Sequence, residues 1–438
     1  MNTDISDTGI NKLITFIDQT LFSLLILFVF SLSFSLAIIN ICLYVSAILF
    51  LIKIGLTKKL TAHHMKNGFI LTLFLLAALL SLINTPSEFL YLGFKGIKRL
   101  LFQCLFYLSI IDTVTSEKRL NTIVTFLCVG YGITTLDALW QYMSGYDFIK
   151  SHPLYNEGLY NNLNILRATA TYDHPNSLGV YSSTFLFLFV IPAFYVFDQW
   201  KGFVWKFFSV IGLAASMLTF SRGALLSLFL TFSALFFIKK NKTALILPII
   251  GLLIGAVIIP KDVYTWIKKT SLSPATFMLS ANSDKPYTGR APLWKTATSM
   301  FKKHPYIGVG YYSFSDQYAF YKNPQDPNHN IQAHSSYFSM CAELGLAGML
   351  TMLGFLIFIY RRGYQAYTAI SAPLLKNYHL AILFCFSALL INASYESVLR
   401  QTRMSGFFWF LSGLICAIYH IQTERLKAIG LSNPIRHR

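Results

Sequence analysis

Apolar stretches of roughly 17–25 residues recur along this 438-residue chain, and that is the length a helix needs to cross the hydrocarbon core of a bilayer. No other feature restricts the fold as strongly. Twelve spans are expected, at about 21–38, 40–56, 69–85, 99–114, 120–142, 177–196, 203–220, 223–239, 243–260, 337–360, 377–393 and 403–420. If the first two form one long run, the count drops and the later loops change sides. Charge content agrees, since Asp, Glu, Lys and Arg make up 12% of the chain, about half of what a soluble protein carries. The expected fold is an all-α polytopic membrane protein of about twelve transmembrane helices. Its parts are a bundle of nine spans over 1–260, a large polar loop or lid over 261–336, and three further spans with a tail over 337–438.

The formal net charge of +18 needs no nucleic acid to explain it. Lys and Arg collect in short cytoplasmic loops of such proteins, and anionic lipids or phosphate substrates also attract them. With the N-terminus inside, the cytoplasmic connections hold Lys53, Lys58, Lys59 and Lys66; Lys118 and Arg119; Lys239, Lys240 and Lys242; Arg361 and Arg362; and Arg425, Lys427, Arg436 and Arg438. Both termini are then cytoplasmic. Residues 85–98, 143–176, 261–336 and 394–402 face outward, as does the turn Ser221-Arg222-Gly223. Asp4, Asp7 and Asp18 against a single Lys12 make a poor signal-peptide start, so the first apolar run is expected to stay as a helix. All six cysteines fall in apolar segments, with neither metal spacing nor a disulfide framework.

The insert at 261–336 is too long for a connector and too aromatic for disorder. Tyr264, Trp266, Trp294, Phe301, Tyr306, Tyr311, Tyr312, Phe314, Tyr318, Phe320 and Tyr321 can build a small packed lid. Within it, Trp294, Ala297, Met300 and Phe301 recur three or four apart, which predicts a helix over 289–303. His304-Pro305 ends that helix, and Gly308-Val309-Gly310 supplies a tight turn.

A few polar residues stand out against this background. Arg222 lies where one apolar span ends and the next begins, a position that suits either an interfacial snorkelling side chain or an anion clamp for phosphate. Arg290, at the start of the lid helix, is either a surface residue or the second arm of a diphosphate site. Together two such residues could neutralise a departing pyrophosphate without a metal. His334 directly precedes a span; a helix N-terminus disfavours imidazolium, which suits either a capping role or a general base acting on a sugar hydroxyl. Ser335 and Ser336 could cap that helix unaided. His329 and His304 read as loop residues. Glu343, about two turns into the same span, must pair or be neutral, and could orient His334 or join an ion pair. Nearby, Gly345 and Gly348 suggest close helix packing. On the sixth span Asn176, after Pro175, reads as an N-cap, with Arg167 adding to the outer basic surface. Glu396 and Arg400 read as a local surface pair. Asp262, Asp284, Asp316 and Asp326 are scattered and form no Asp-rich metal motif.

Taken in order, Arg167…Asp173-His174-Pro175-Asn176, Phe220-Ser221-Arg222-Gly223, Gly289-Arg290…Leu293-Trp294…His304-Pro305…Gly308-Val309-Gly310…Phe314, and His334…Glu343-Leu344-Gly345…Gly348 resemble the O-antigen ligase and O-antigen polymerase superfamily of bacterial membrane glycosyltransferases. The likeness spans roughly residues 160–350. It implies about twelve helices with a periplasmic lid in the bacterial inner membrane. It also implies transfer of a finished glycan from undecaprenyl diphosphate to the lipid A–core oligosaccharide, with no cofactor, metal or nucleotide sugar. By position, Arg222 and Arg290 look like the diphosphate-binding arginines and His334 like the residue that activates the acceptor. Many members carry Asn after that His; here Ser335 follows His334 whereas Asn330 follows His329, so His329 stays as the alternative. Arg167 and Glu343 are expected in support. Rival readings are an O-antigen polymerase, a protein O-oligosaccharyltransferase and a non-catalytic lipid-glycan transporter. No twofold repeat of the transporter kind is visible.

Overall fold

The computed structural model describes residues 2–58, 62–160, 163–196, 199–240 and 289–428. Its helices are α1 (Asn2–Ser31), α2 (Leu36–Thr57), α3 (Ala62–Ser81), α4 (Leu90–Thr113), α5 (Glu117–Ser144), α6 (Pro175–Phe185), α7 (Phe187–Tyr195), α8 (Gln199–Leu218) and α9 (Arg222–Lys239). After them come α10 (Ala291–Lys303), α11 (Phe314–Tyr321), α12 (Ser336–Ala369), α13 (Pro373–Asn392) and α14 (Thr402–Ala428). A two-stranded antiparallel ribbon, β1 (Tyr155–Tyr160) and β2 (Leu163–Arg167), sits between α5 and α6. Among the described residues nine helices are long and apolar enough to cross a bilayer, and α8 adds a shorter apolar stretch. The protein is an all-α polytopic membrane protein.

Eleven of the expected segments fall on these helices; the one at 243–260 lies outside the described residues, as do 261–288 of the lid. The first span begins well before residue 21, and the break between the first two falls at 32–35, ahead of the expected boundary. Ser35 fixes it, its hydroxyl accepting from Ile38 N as the cap of α2. Lys95, Lys98 and Arg99 occupy the first turns of α4, which joins the bundle by packing against α2 and α14 rather than by uniform apolarity.

Apolar burial does not drive helix association where the surrounding lipid is equally apolar, so close fit has to do it. The core shows such a fit. Phe28, Tyr107, Tyr131, Tyr181 and Trp409 are each 2% exposed or less, and their rings meet one another or neighbouring phenylalanines at 4.6–6.1 Å. Around this core α12 packs on α3 and α14, and α13 on α7 and α9.

A second, smaller core lies in the lid. On α10, Leu293, Ala297 and Met300 face inward, while Lys295, Thr298, Ser299 and Lys302 stay in solvent. They meet Val309, Phe314, Tyr318 and Ala333. Pro292 in the first turn and His304-Pro305 at the end set the limits of α10. Trp294 stacks on Phe338 of α12 at 4.8 Å and donates its indole N–H to Ala333 O.

The lid is also built into α12 itself. At Gly345 the helix is broken (φ 59°, ψ −155°). The segment 305–310 enters the gap: Val309 N and Gly310 N donate to Ala342 O and Glu343 O at 3.0 and 3.1 Å, and Leu346 N and Ala347 N donate to Pro305 O and Tyr306 O at 2.8 and 3.0 Å. Irregular backbone at membrane depth persists only where protein re-satisfies its polar groups, and these four bonds do so. Gly345 is needed at this point, since a Cβ there would lie 2.7 Å from Pro305 O and Tyr306 C.

Candidate functional site

Several of the polar residues singled out in the sequence converge on Glu396, which the sequence reading took as half of a surface pair. Glu396 lies on the 393–401 connection between α13 and α14 and is 5% exposed. It accepts from Arg290 Nη2 at 3.1 Å and from Asn176 Nδ2 at 2.8 Å, and its other oxygen is 3.8 Å from His334 Nδ1. Arg167 stands behind Asn176, donating Nη2 to Asn176 Oδ1 at 2.6 Å and Nε to Thr219 O at 2.7 Å.

Local chemistry explains how these side chains arrive together. His174, not Asn176, caps α6: its ring accepts from Asn176 N at 3.1 Å, and Pro175 takes the first helical position. The expected cap is therefore corrected. Asn176 sits one residue further in, its amide freed to bridge Arg167 and Glu396. Arg167 is 5% exposed rather than part of an outer surface, because the turn before α9 offers it a carbonyl. Ser221 caps α9 and places Arg222 as its first residue, half-buried. Gly223 next to it lets the chain approach Tyr395; a Cβ there would be 3.1 Å from Tyr395 Cβ. Ser335 caps α12, and Ser336 N donates to Ala393 O at 2.8 Å, binding the start of that helix to the segment carrying Glu396.

The N-terminal ends of α6 and α12 thus meet at one carboxylate, with the start of α9 beside the neighbouring Tyr395. Each end carries a partial positive charge. Glu396 is held below the usual carboxylate range: burial alone would raise it, and the adjacent His334 with the charges of Arg290 and His174 outweighs that. His334 itself adopts φ 47°, as do Ala170 and Phe220 in the turns before α6 and α9. Left-handed backbone at non-glycine residues costs about 1–3 kcal/mol each and gathers at functional sites. The His334 side chain remains 43% exposed.

His329 lies elsewhere, on the exposed end of a loop that Lys322 and Asp326 tie down. His304 ends α10, with Tyr321 6.3 Å from its ring. Glu343 does not join His334. It takes Arg400 Nη1 at 2.7 Å and Phe314 N at 2.9 Å, with Asp316 3.9 Å from the same guanidinium. The expected surface pair of Glu396 with Arg400 is therefore overturned: Glu396 is buried and Arg400 half-buried, and each has a different partner. Closeness in one short loop suggested the pair, but 393–401 is an irregular turn and its side chains part company. A pocket of about 40 Å³ is walled by Tyr311, Tyr312, Glu343, Arg400 and Trp409; Arg290, His334 and Glu396 do not line it.

Chemically, the cluster offers one imidazole with an open face, one buried carboxylate behind it, and guanidinium groups beside it. Among the described residues no three His, Cys, Asp or Glu side chains gather as metal ligands. Sequence reading named Glu396 but left it in a surface pair with Arg400; the signal for its role was a carboxylate next to an apolar span.

Comparison with curated proteins finds no match. Residues 207–353 match the family model described as O-antigen ligase, a segment holding Arg222, Arg290, His334 and Glu343 but neither Asn176 nor Glu396. Over the part of its fold that brings Arg222, Arg290 and His334 to one end of the bundle, this chain is similar to the O-antigen ligase family.

Proposed function

We propose that this protein is an O-antigen ligase of the bacterial inner membrane. It transfers a glycan from undecaprenyl diphosphate to a sugar hydroxyl of the lipid A–core oligosaccharide on the periplasmic face, with both termini in the cytoplasm. The observation that carries this reading is the convergence of His334 and Arg290 on buried Glu396, next to the start of α9 where Arg222 stands.

In this reading Glu396 faces Nδ1 of His334, so Nε2 is the nitrogen left for substrate. His334 takes the proton of the acceptor hydroxyl while that oxygen attacks the anomeric carbon of the donor's first sugar. The anomeric C–O bond breaks, the bonding pair leaves with undecaprenyl diphosphate, and the configuration inverts. The ionised Glu396 stabilises the imidazolium that forms. Arg290 spends one nitrogen on Glu396 and has others for phosphate oxygens; Arg222 supplies the second fork, at a helix N-terminus that favours anions. Such preorganised charge is what stabilises a leaving diphosphate. Arg167 supports through Asn176. Glu343 shapes the lid through Arg400 and does not act on the substrate, and His329 has no part.

The test is direct. Purified protein is mixed with undecaprenyl-diphosphate-linked O-antigen and rough lipopolysaccharide in EDTA, and the products are run on a gel. A glycan ladder on lipid A–core supports the ligase. Longer chains still on undecaprenyl diphosphate would replace it with a polymerase. Normal transfer by His334→Ala would remove His334 from its role.

A further inference from the structure

The two arginines of the candidate site stand on different elements. Arg222 is the first residue of α9, which packs on α13 in the bundle, and Arg290 caps α10, which packs on α12 as part of the lid. Two guanidinium forks that grip one diphosphate need a set spacing, so something has to join their supports. Tyr395, half-buried and next to Glu396, touches both. Its backbone is fixed first. Asn392 O accepts from Tyr395 N and from Glu396 N, both at 2.9 Å. Asn392 is itself buried, and its amide donates to Ser183 Oγ at 3.0 Å and to Ala388 O at 2.9 Å.

One side of Tyr395 rests on α9. A Cβ built on Gly223 would lie 3.1 Å from Tyr395 Cβ, 3.7 Å from its Cγ and 3.8 Å from its Cδ2. The side chain therefore meets the helix backbone one residue from Arg222. The ring also reaches α10. The Arg290 guanidinium carbon lies 5.8 Å from its centroid, within cation–π range, and the Trp294 ring lies at 6.4 Å. Glu396 holds the same guanidinium, accepting from Arg290 Nη2 at 3.1 Å. Two consecutive residues thus grip Arg290, one by a carboxylate and one by a ring. An ion pair through a single nitrogen leaves the fork free to swing; the ring supplies the second point of hold. An aliphatic side chain of similar bulk would fill the space against Gly223 but has no ring quadrupole to hold a cation.

We propose that Tyr395 is a positioning residue that sets Arg290 at a fixed spacing from Arg222, and through that spacing selects a diphosphate over a monophosphate. The proposal rests on the reading of Arg222 and Arg290 as the diphosphate site. A diphosphate offers one phosphoryl group to each fork, whereas a single phosphate is satisfied by either fork alone. Loss of the spacer therefore penalises the diphosphate and spares the monophosphate.

The experiment reads binding. The full chain in zwitterionic nanodiscs is titrated calorimetrically with inorganic pyrophosphate, which stands in for the donor's head group, and separately with orthophosphate. The parent is expected to prefer pyrophosphate. Tyr395→Leu should weaken pyrophosphate about three- to thirtyfold, the scale of a cation–π contact, and leave orthophosphate within about twofold. Tyr395→Phe, which keeps the ring, should restore the preference. Tyr395→Met is read beside Tyr395→Leu, so the result does not hang on the folding of one variant. In an Arg290→Ala background Tyr395→Leu should weaken binding no further, because the ring acts through that guanidinium. Equal weakening of both anions, losses that add to those of Arg290→Ala, or a Tyr395→Phe protein as weak as Tyr395→Leu would overturn the proposal. Pyrophosphate binding that ignores both Arg222→Ala and Arg290→Ala removes the diphosphate reading, and the spacer with it. Binding that needs both arginines yet is unchanged in Tyr395→Leu removes the spacer alone.

Discussion

Replacing Glu396 by glutamine tests the centre of the site with the least change of shape. The carboxylate side chain is 6% exposed and receives Arg290 and Asn176 on one oxygen, with His334 near the other. A hydrogen bond to a charged group contributes about 1.5–3 kcal/mol net. Glutamine retains one acceptor oxygen and presents an N–H₂ to groups that also donate, so the variant should lose roughly one such bond, about 1.5–3 kcal/mol. Alanine leaves half-buried Arg290 with no carboxylate, which costs up to about 3–5 kcal/mol, the figure for a fully buried pair. Denaturation of the protein in mixed detergent–lipid micelles measures both, and a double-mutant cycle with Arg290→Gln should give a coupling of about 0.5–3 kcal/mol. If the same charge also stabilises imidazolium in transfer, about 1.5–3 kcal/mol becomes a fall in kcat of roughly 10- to 150-fold. A Glu396→Gln protein within about 0.5 kcal/mol of the parent, with unchanged kcat, would refute the reasoning.

The same carboxylate sets a pH dependence. Its folded pKa is depressed, so its stabilisation is complete above the unfolded value of about 4.3 and is lost as pH falls through the lower folded value. The stability gap between the parent and Glu396→Gln should therefore close on acidification below about pH 4, and a gap that persists there would assign the effect to packing. Gly345→Ala forces a side chain into φ 59°, ψ −155° and against Pro305 O; a loss of about 1–3 kcal/mol from the backbone alone is expected in the same unfolding assay, with more if the four bonds to 305–310 yield. Arg400→Gln leaves Glu343 buried and unpaired, which should cost about 3–5 kcal/mol, while Glu343→Gln/Arg400→Gln together should recover part of it.

Much of the bundle was legible because a bilayer imposes one length on every span. Boundaries were harder. The run 21–56 is apolar almost throughout, and only Ser35 marks the break, through a capping bond that hydropathy does not register. Arg222, Arg290 and His334 stood out as polar residues beside apolar runs, and the fold brings them to one end of the bundle. Glu396 was hidden by Arg400: in one short outer loop they look like a local surface pair, and only the tertiary path of 393–401 reveals that each serves another partner. Asn176 was misread for a related reason. A histidine rarely leads the list of capping residues, so the asparagine after Pro175 drew the assignment that His174 holds.

The break at Gly345 divides α12 into two bodies with different loyalties. Residues 336–344 end on carbonyls that belong, by hydrogen bonding, to 309 and 310, and they carry Trp294 stacked on Phe338. This first stretch is thus held from both sides, by the lid and, through Ser336 N to Ala393 O and Tyr337 Oη to Leu390 O, by the bundle. A substrate that lifts the lid would therefore load the helix that His334 precedes, so access and chemistry share a single joint. The amides of Val309, Gly310, Leu346 and Ala347 should then exchange with solvent deuterium at one common rate, as the four pins of one joint.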